Sequence, residues 1–454
     1  MKLPAVPPSF EKLLQKLVEG SSLEKMASLF SSDIGICDER GRYLHWDKLR
    51  FVIPPGDLDN EEYWFALKQA RKKFYRDTGL IDKAGKPFQF CLSDELLRSL
   101  HLLDQYAAGQ ISMPVPIANS NTRDVYLVSS LIEESINSSQ LEGASTTRDV
   151  AKDMLRQKRS PRDKSEQMIF NNYQAMQAIS ELKDEPLTPQ LIFHLHEVLT
   201  LNTLEQKDKA GKFRGEEDEI RVVDNRDAQV LHIPPKASEL PGRIKRLCDF
   251  ANTDVDEMNF FHPVIKAMIL HFMIGYEHPF VDGNGRTARA LFYWYLAKHG
   301  YWLIEFVSIS KIIKHAPSKY SRAFLLTETD DNDLTYFLLH QAGVLRAGID
   351  ELFEYLQKKT DEIAQAEHYL QGSSLKGILN HRQLMILQKA LKNQQTIFDI
   401  QEHRSIHAIS YQTARTDLLA LADTYHLLDK RKQGKGFVFI VPMDINDRIL
   451  EFKN

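Results

Sequence analysis

Residues 278–289 read His-Pro-Phe-Val-Asp-Gly-Asn-Gly-Arg-Thr-Ala-Arg. The residues before this stretch, 263–276, and those from 284 to 298 both carry apolar side chains at helical spacing. The stretch is therefore predicted to be a short loop that leads directly into the start of a helix. Its glycines allow a tight turn that aims several backbone N–H groups at one point, next to the positive end of the helix dipole. Such a loop is an anion cradle, and a phosphate group is its usual occupant.

The charged side chains around this cradle favour phosphoryl or nucleotidyl chemistry. Arg286 and Arg289 lie three positions apart, so they share one helix face and can grip the same polyphosphate. Asp282 is a hard oxygen ligand just before the cradle, as expected for Mg²⁺ that bridges phosphates. His278 titrates near neutrality, which suits a general base. Together they predict a site that activates a hydroxyl and presents it to a phosphoryl or nucleotidyl group.

The stretch resembles the signature of the Fic family, His-x-Phe-x-(Asp/Glu)-Gly-Asn-Gly-Arg-x-x-Arg, at every specified position. This resemblance implies transfer of AMP from ATP to a hydroxyl group of a target protein, with ATP and Mg²⁺ as cofactors. It also implies that His278 deprotonates the target hydroxyl and that Asp282 binds Mg²⁺.

The same resemblance assigns the remaining signature residues to the phosphates. Gly283, Asn284 and Gly285 would form the anion hole for the α- and β-phosphates. Arg286 would bind the phosphates, and Arg289 would bind the γ-phosphate. A nucleotide donor other than ATP also remains open, because the cradle recognises phosphates better than bases.

An upstream segment adds a regulatory expectation. Residues 124–141 are predicted to form a helix that a glycine terminates. Residues 138–143, Ser-Ser-Gln-Leu-Glu-Gly, resemble the inhibitory motif of the same family, (Ser/Thr)-x-x-x-Glu-(Gly/Asn), in which Ser138 is first and Glu142 fifth. A carboxylate there can pair with an arginine that otherwise holds the γ-phosphate, and the candidate is Arg289. The resemblance implies self-inhibition; the alternative is that Glu142 is a surface residue near a helix end.

A β-hairpin is predicted within the helical pattern. Residues 220–223 and 229–233 read as two strands around a turn at 225–227. In the family that the signature indicates, a hairpin at this place is a flap that holds the target segment beside the base. Addition of a peptide to a sheet edge provides that register through main-chain hydrogen bonds. A protein substrate is therefore expected to dock on residues 219–233.

Composition sets further limits. The chain has 454 residues, 43% hydrophobic and 26% charged, which is ordinary for a globular protein. Its formal charge of −4 gives no overall reason to expect nucleic acid or an anionic membrane. The three scattered cysteines favour free thiols in a reducing compartment. No signal-type core or membrane-spanning apolar run is found, so the protein is predicted to be cytoplasmic and not to bind a membrane.

The chain is predicted to be mainly α-helical, in three parts. Residues 1–110 form an N-terminal accessory region with helices and short strands, to which no chemistry is assigned. Residues 111–372 form the Fic-type helical core, which includes the inhibitory helix at 124–143 and the hairpin flap. Residues 373–454 form a separate small domain. The oligomeric state stays open, a homodimer included.

The small C-terminal domain resembles a winged helix. Helices are predicted at residues 381–391, 397–404 and 411–421, and a basic hairpin at 427–441 follows them. DNA binding through residues 375–441 is one hypothesis. Dimerisation or recruitment of the target is the other.

Two further activities stay open. Glu142 could position a water molecule that removes AMP from a modified protein, with His278 protonating the leaving hydroxyl. Alternatively, the protein could be a DNA-binding regulator in which nucleotide occupancy only tunes the winged helix.

Overall fold

The computed structural model describes most of the chain. The described residues are 2–20, 29–30, 34–108, 120–224, 226, 228–253, 260–369, 375, 377–393, 395–407, 409–433 and 436–452. Four predicted features lie outside these residues: turn residues Asn225 and Asp227 of the hairpin, the wing turn at 434–435, and the domain boundaries at 110–111 and 372–373.

Helices dominate the described chain, which confirms the predicted mainly α class. The α-helices before the signature are Phe10–Gly20, Trp46–Leu49, Asn60–Phe74, Asp94–Leu103, Ser120–Leu141, Arg148–Gln157, Lys164–Leu182, Pro189–Thr200, Leu240–Asn252 and Pro263–Glu277. The signature helix is Asn284–Lys298. After it come Ile309–His315, Pro317–Thr329, Thr335–Tyr369, His381–Lys392, Ile400–His407, Tyr411–Leu419 and Ile445–Glu451. Among the residues described, no helix combines the length and the apolar character needed to cross a membrane.

The strands form three small antiparallel sheets. The pairs are Arg76–Ile81 with Pro87–Phe90, and Val222–Val223 with Val230–His232; the third sheet has Gly436–Ile440 between Ile397–Asp399 and Asp429–Gln433. The hairpin predicted at residues 219–233 is therefore present, but its paired strands are shorter than the predicted ones.

The two helices that flank the signature loop form the centre of the core. Pro263–Glu277 and Asn284–Lys298 pack against each other and bury 13 and 12 of their 15 residues. A helix that is buried on all sides belongs in the middle of a domain, with other helices around it. Here the surrounding helices include Lys164–Leu182 and Pro189–Thr200, and both contact the signature helix. The loop that carries the signature is thus held between two deeply buried helices.

The C-terminal part has its own hydrophobic core. The helix predicted at residues 397–404 is wrong in its first turn, because Ile397–Asp399 is a strand and the helix begins at Ile400. Ile397 and Phe398 are a β-branched and an aromatic residue, and both pair with strand Gly436–Ile440. Pairing with a strand that lies forty residues away in sequence therefore overrides the local helical pattern.

A buried polar network joins the N-terminal part to the remainder. Arg71 is fully buried, donates to the Tyr336 hydroxyl at 2.8 Å, and donates to two backbone carbonyl groups of the N-terminal part. The Lys68 ammonium lies 2.8 Å from Asp330, which also accepts a hydrogen bond from Tyr336 at 2.7 Å. Buried charges are tolerated only when they are paired and hydrogen-bonded. This network therefore makes the N-terminal part and helix Thr335–Tyr369 depend on each other.

We expect Arg71→Met to lower the free energy of unfolding by about 3–5 kcal/mol, since it leaves buried partners of the guanidinium unsatisfied. Urea denaturation followed by circular dichroism measures this. Lys16→Ala is the control, because Lys16 pairs with Glu61 on the surface, and its midpoint should stay at the wild-type value. Equal midpoints for wild type and Arg71→Met would contradict the expectation.

Candidate active site

The signature loop is fixed by its own asparagine. The Asn284 side chain accepts a hydrogen bond from the Phe280 N–H at 2.9 Å and donates to the Phe280 carbonyl at 2.8 Å. Gly283 precedes the helix with φ +81°, and a Cβ at that position would lie 2.7 Å from Thr200 Cγ2. Glycine is therefore required there for both its conformation and its size. The side chain of Asn284 thus holds the loop together, and the backbone N–H of the same residue stays the group predicted to contribute to the anion hole.

Buried His196 packs against the signature loop and hydrogen-bonds to it. The His196 ring stacks on Phe280 with 3.7 Å between ring centroids and 6° between planes. Its Nδ1 accepts from the Gly211 N–H at 3.0 Å, so its Nε2 is the protonated nitrogen and donates to the Asp282 carbonyl at 2.9 Å. Burial lowers the pKa of His196 to about 4, which keeps the ring neutral. The sequence assigns this residue no role, because nothing in its helical pattern identifies its two partners.

The contacts of His278 leave its Nε2 unprotonated. It caps helix Pro263–Glu277 in a left-handed conformation, with φ +45° and ψ 56°. Its Nδ1 lies 3.0 Å from the Gly275 carbonyl, which can only accept, so Nδ1 carries the hydrogen and Nε2 carries the lone pair. Burial lowers the pKa of His278 below its usual value. The imidazole is therefore neutral at neutral pH and can act as a base through Nε2.

Arg286 offers unpaired hydrogen-bond donors to an anion. Its side chain is 1% exposed, and Nη1 donates to the Leu199 carbonyl at 2.8 Å. Nε and Nη2 are buried without a hydrogen-bond partner. The carboxylate of Asp282 lies 3.9 Å from Nη2, half exposed, and accepts from the Gly283 N–H at 2.6 Å. Buried guanidinium nitrogens without partners fit phosphate oxygens, and the accessible carboxylate fits Mg²⁺, which keeps most of its ligands from water and phosphate.

Arg289 already has an anionic partner. Its Nη2 lies 2.8 Å from Glu142 Oε1, so the predicted pair is formed. Its Nε donates to the Ser138 hydroxyl at 2.9 Å, and Nη2 donates to the Ser138 carbonyl at 3.1 Å. Glu142 also lies directly over Gly285, since a Cβ added there would collide with Glu142 Oε1. The carboxylate thus occupies the mouth of the cradle that the sequence predicts.

Nothing in the sequence indicates a role for Arg214, which forms hydrogen bonds to the start of the signature loop. Its Nε donates to the His278 carbonyl at 2.8 Å, and its Nη2 donates to the Pro235 carbonyl at 2.5 Å. Its backbone N–H donates to the Pro279 carbonyl at 2.9 Å. The segment around it reads only as a loop, because an arginine that binds distant carbonyl groups leaves no periodic signal. Arg214 therefore fixes the backbone of His278 and Pro279.

The hairpin is anchored to helix Pro263–Glu277, which ends at His278. His232 ends the second strand of the hairpin and is buried. Its Nε2 donates to the Tyr276 carbonyl at 2.7 Å, and its Nδ1 lies 2.7 Å from the Glu328 carboxylate. In contrast, Val223 and Val230 expose 41% and 40% of their surface. An anchored hairpin with exposed apolar side chains has the features that an edge for peptide addition requires.

We expect Arg214→Ala to lower the free energy of unfolding by about 1–3 kcal/mol, because buried carbonyl groups lose their donor. Urea denaturation provides the measurement. Lys212→Ala, an exposed neighbour on the same loop, is the matched control and should unfold as wild type does. If both variants unfolded alike, the carbonyl contacts of Arg214 would not support the loop.

Comparisons with known proteins identify a family domain in this part of the chain. Residues 186–296, which include the hairpin and the signature, match the model of the Fic/DOC family. The chain therefore contains a Fic/DOC-type domain, as the signature predicts.

Its relatives share only part of their length with it. Over 179 residues the chain is 30% identical to a protein adenylyltransferase Fic of Drosophila grimshawi. These aligned residues make up 39% of this chain and 34% of that relative. Over 70 residues it is 40% identical to the Drosophila mojavensis protein of the same name, 15% of this chain and 14% of the relative. The chain thus spans about a third or less of these relatives. A crystal structure of a Fic family protein from Desulfovibrio desulfuricans G20 is similar at 17% identity and a TM-score of 0.48, covering 78% of this chain and 98% of that one.

Proposed function

We propose that this protein transfers AMP from ATP to a Ser, Thr or Tyr hydroxyl of a target protein. The observation that carries the proposal is the buried guanidinium of Arg286, whose two unpaired nitrogens lie at the start of a helix behind a glycine turn. A neutral imidazole, His278, lies at the other end of the same loop. A phosphate clamp and a base on one rigid loop are what nucleotidyl transfer requires. The names of the Drosophila relatives support this reaction.

The chemistry follows from the positions of these groups. Nε2 of His278 takes the proton of the target hydroxyl as its oxygen attacks the α-phosphorus. A bond from the hydroxyl oxygen to the α-phosphorus forms, and the bond from that phosphorus to the pyrophosphate oxygen breaks in line. The backbone N–H groups of residues 283–285 and Arg286 stabilise the charge that develops on the phosphates. Asp282 would hold Mg²⁺, which neutralises phosphate charge when bound.

We further propose that Glu142 inhibits this reaction. Arg289 would bind the γ-phosphate, but its guanidinium is paired with Glu142. A triphosphate that enters the cradle meets the Glu142 carboxylate over Gly285 and finds Arg289 occupied. Like charges repel at this distance, and the phosphates are then displaced from the line of attack. Self-inhibition is therefore relieved when the carboxylate leaves.

The target segment docks on the hairpin in this proposal. Val223 and Val230 are exposed on its two strands, and His232 fixes its base next to helix Pro263–Glu277. A peptide that adds to the hairpin edge gains main-chain hydrogen bonds in a defined register. That register would place one hydroxyl-bearing side chain at Nε2 of His278.

We expect Glu142→Gly to raise AMP incorporation about tenfold or more, because the broken contact is a hydrogen-bonded ion pair of a buried guanidinium. Purified protein is incubated with ATP labelled at the α-phosphate, Mg²⁺ and cell lysate, and adducts are identified by mass spectrometry. The added change His278→Ala should abolish labelling in the Glu142→Gly background.

Two outcomes would contradict this. Absence of adducts with a well-folded Glu142→Gly protein would argue against AMP transfer. If wild type instead removes AMP from labelled proteins and Glu142→Gly loses that activity, Glu142 positions water and the protein is a hydrolase of AMP-modified proteins.

A second candidate function is contact with a DNA duplex. We infer that the C-terminal part is a winged helix, because three helices and a three-stranded sheet follow in that fold's order. Residues 375–454 contain twelve Lys and Arg against eight Asp and Glu, whereas the whole chain has 58 against 62. Positive charge is thus concentrated here. Helix Tyr411–Leu419 also exposes polar and aromatic side chains, at Tyr411, Gln412, Arg415 and Thr416.

We expect the full chain to bind a duplex of about 30 base pairs at about 50 mM salt, with the double variant Arg415→Ala/Arg431→Ala about fivefold or more weaker and less salt-dependent. Fluorescence anisotropy measures the affinity. Lys245→Ala on helix Leu240–Asn252 is the control, because it also removes an exposed positive charge, and it should bind as wild type does. Absence of binding at low salt would leave dimerisation or target recruitment for this part.

A further inference from the structure

A third residue shares the helix face that carries Ser138 and Glu142. Glu134 lies four positions before Ser138 and eight before Glu142, so the three project to the same side. The latter two contact Arg289, and Glu134 is itself buried, with only 2% of its surface exposed. A carboxylate with so little exposure requires specific partners.

Those partners are donors at the start of helix Ile309–His315. One carboxylate oxygen of Glu134 accepts from the Ser310 hydroxyl at 2.5 Å. The other accepts from the Ser308 hydroxyl at 2.8 Å and from the Ser310 backbone N–H at 3.1 Å. Three hydrogen bonds to one carboxylate fix both its position and the rotation of its helix.

The segment that Glu134 binds is itself held by the signature helix. Tyr293 lies one turn after Arg289 and donates from its hydroxyl to the Val307 carbonyl at 2.8 Å. The same hydroxyl accepts from the Ile309 N–H at 3.0 Å. Residues 307–310 are therefore a bridge, bound by the signature helix on one side and by Glu134 on the other.

Packing alone does not explain a carboxylate at this position. Burial raises the pKa of Glu134 above its usual value, although hydrogen bonds from Ser310 and the charge of Arg289 act against this. An apolar side chain of similar size would be buried with less desolvation. The carboxylate therefore fixes the orientation of helix Ser120–Leu141, because its hydrogen bonds require one rotation of that helix. A shift by one residue moves a helix by about 1.5 Å and turns it by about 100°, which would remove Glu142 from Gly285.

We propose that Glu134 is a positioning residue for self-inhibition. Its hydrogen bonds to Ser308 and Ser310 hold helix Ser120–Leu141 at the rotation in which Ser138 and Glu142 reach Arg289. The inference rests on the proposed inhibition by Glu142 and adds the group that keeps the inhibitory side chain in place. Release of Glu134 from residues 307–310 frees Arg289 without any change at Glu142.

The test compares adjacent glutamates that project about 100° apart on the helix and bind different partners. Glu134→Ala should raise AMP incorporation about fivefold or more above wild type, because it removes hydrogen bonds to a charged group. Glu134→Gln should stay inhibited, since its amide oxygen can accept from the Ser310 N–H and its amide nitrogen can donate to a serine hydroxyl. Glu133→Gln is the control, because Glu133 pairs with Arg148 and Lys152 on the outer side of the helix, and it should label as wild type does.

Combination with Glu142→Gly separates positioning from general damage. Glu134→Ala should add no further activity to Glu142→Gly, because the inhibitory carboxylate is already gone. An equal rate for Glu134→Ala and wild type, together with an active Glu142→Gly, overturns the role of Glu134 and leaves the proposed function intact. An independent increase in the Glu142→Gly background overturns it as well.

Hydrogen exchange provides a readout that does not depend on activity. Amides of residues 131–141 should exchange faster in Glu134→Ala than in wild type or Glu133→Gln, even if Glu142→Gly proves inactive and the proposed function fails. Unchanged exchange in Glu134→Ala contradicts the inference. Should Glu134→Ala not fold, Ser310→Ala removes one hydroxyl donor from the opposite side and is expected to show the same changes to a smaller degree.

Discussion

Two buried guanidinium groups on the first turns of one helix are the constraint on which this structure depends. Arg286 and Arg289 are almost completely inaccessible, and a charge in such a place requires anionic or polar partners. Arg289 is hydrogen-bonded to Glu142 and Ser138, whereas Arg286 donates to one carbonyl, has Asp282 only at 3.9 Å, and keeps two nitrogens without a hydrogen-bond partner. In the proposed function, these two nitrogens of Arg286 bind a ligand, while Arg289 is already paired within the protein.

The loop between the two central helices is rigid because distant parts of the chain hold it. Arg214 binds the carbonyl of His278, His196 stacks on Phe280, and Asn284 closes the loop on itself. The left-handed conformation of His278 is unusual for a residue with a side chain, and it persists because these contacts determine it. In the proposed reaction, His278 must meet a hydroxyl within hydrogen-bond distance, and such support helps because small displacements lower the rate strongly.

The sequence predicts local structure and the one long-range pair that two family motifs carry, and it misses the other long-range contacts. The helices, the hairpin and the loop between Pro263–Glu277 and the signature helix follow from periodicity and glycine positions, and the Glu142–Arg289 pair follows from two motifs. Arg214 and Glu134 bind groups 64 and 176 positions away, and no spacing announces such partners. Strand Ile397–Asp399 was unpredictable for the same reason, because its partner strand lies forty residues further along.

In the proposed mechanism, Arg289 links catalysis to regulation, because one guanidinium cannot bind a carboxylate and a phosphate in the same place. Under that proposal, a signal that activates the protein moves helix Ser120–Leu141 relative to the signature helix. That helix is contacted on one side by residues 308–310 and on another by helix Ile400–His407 of the C-terminal part, which also lies against Arg148–Gln157. A ligand or partner that displaces helix Ile400–His407 changes the support of helix Ser120–Leu141 directly. A change in the C-terminal part thus has a physical route to Arg289 that does not pass through the signature loop.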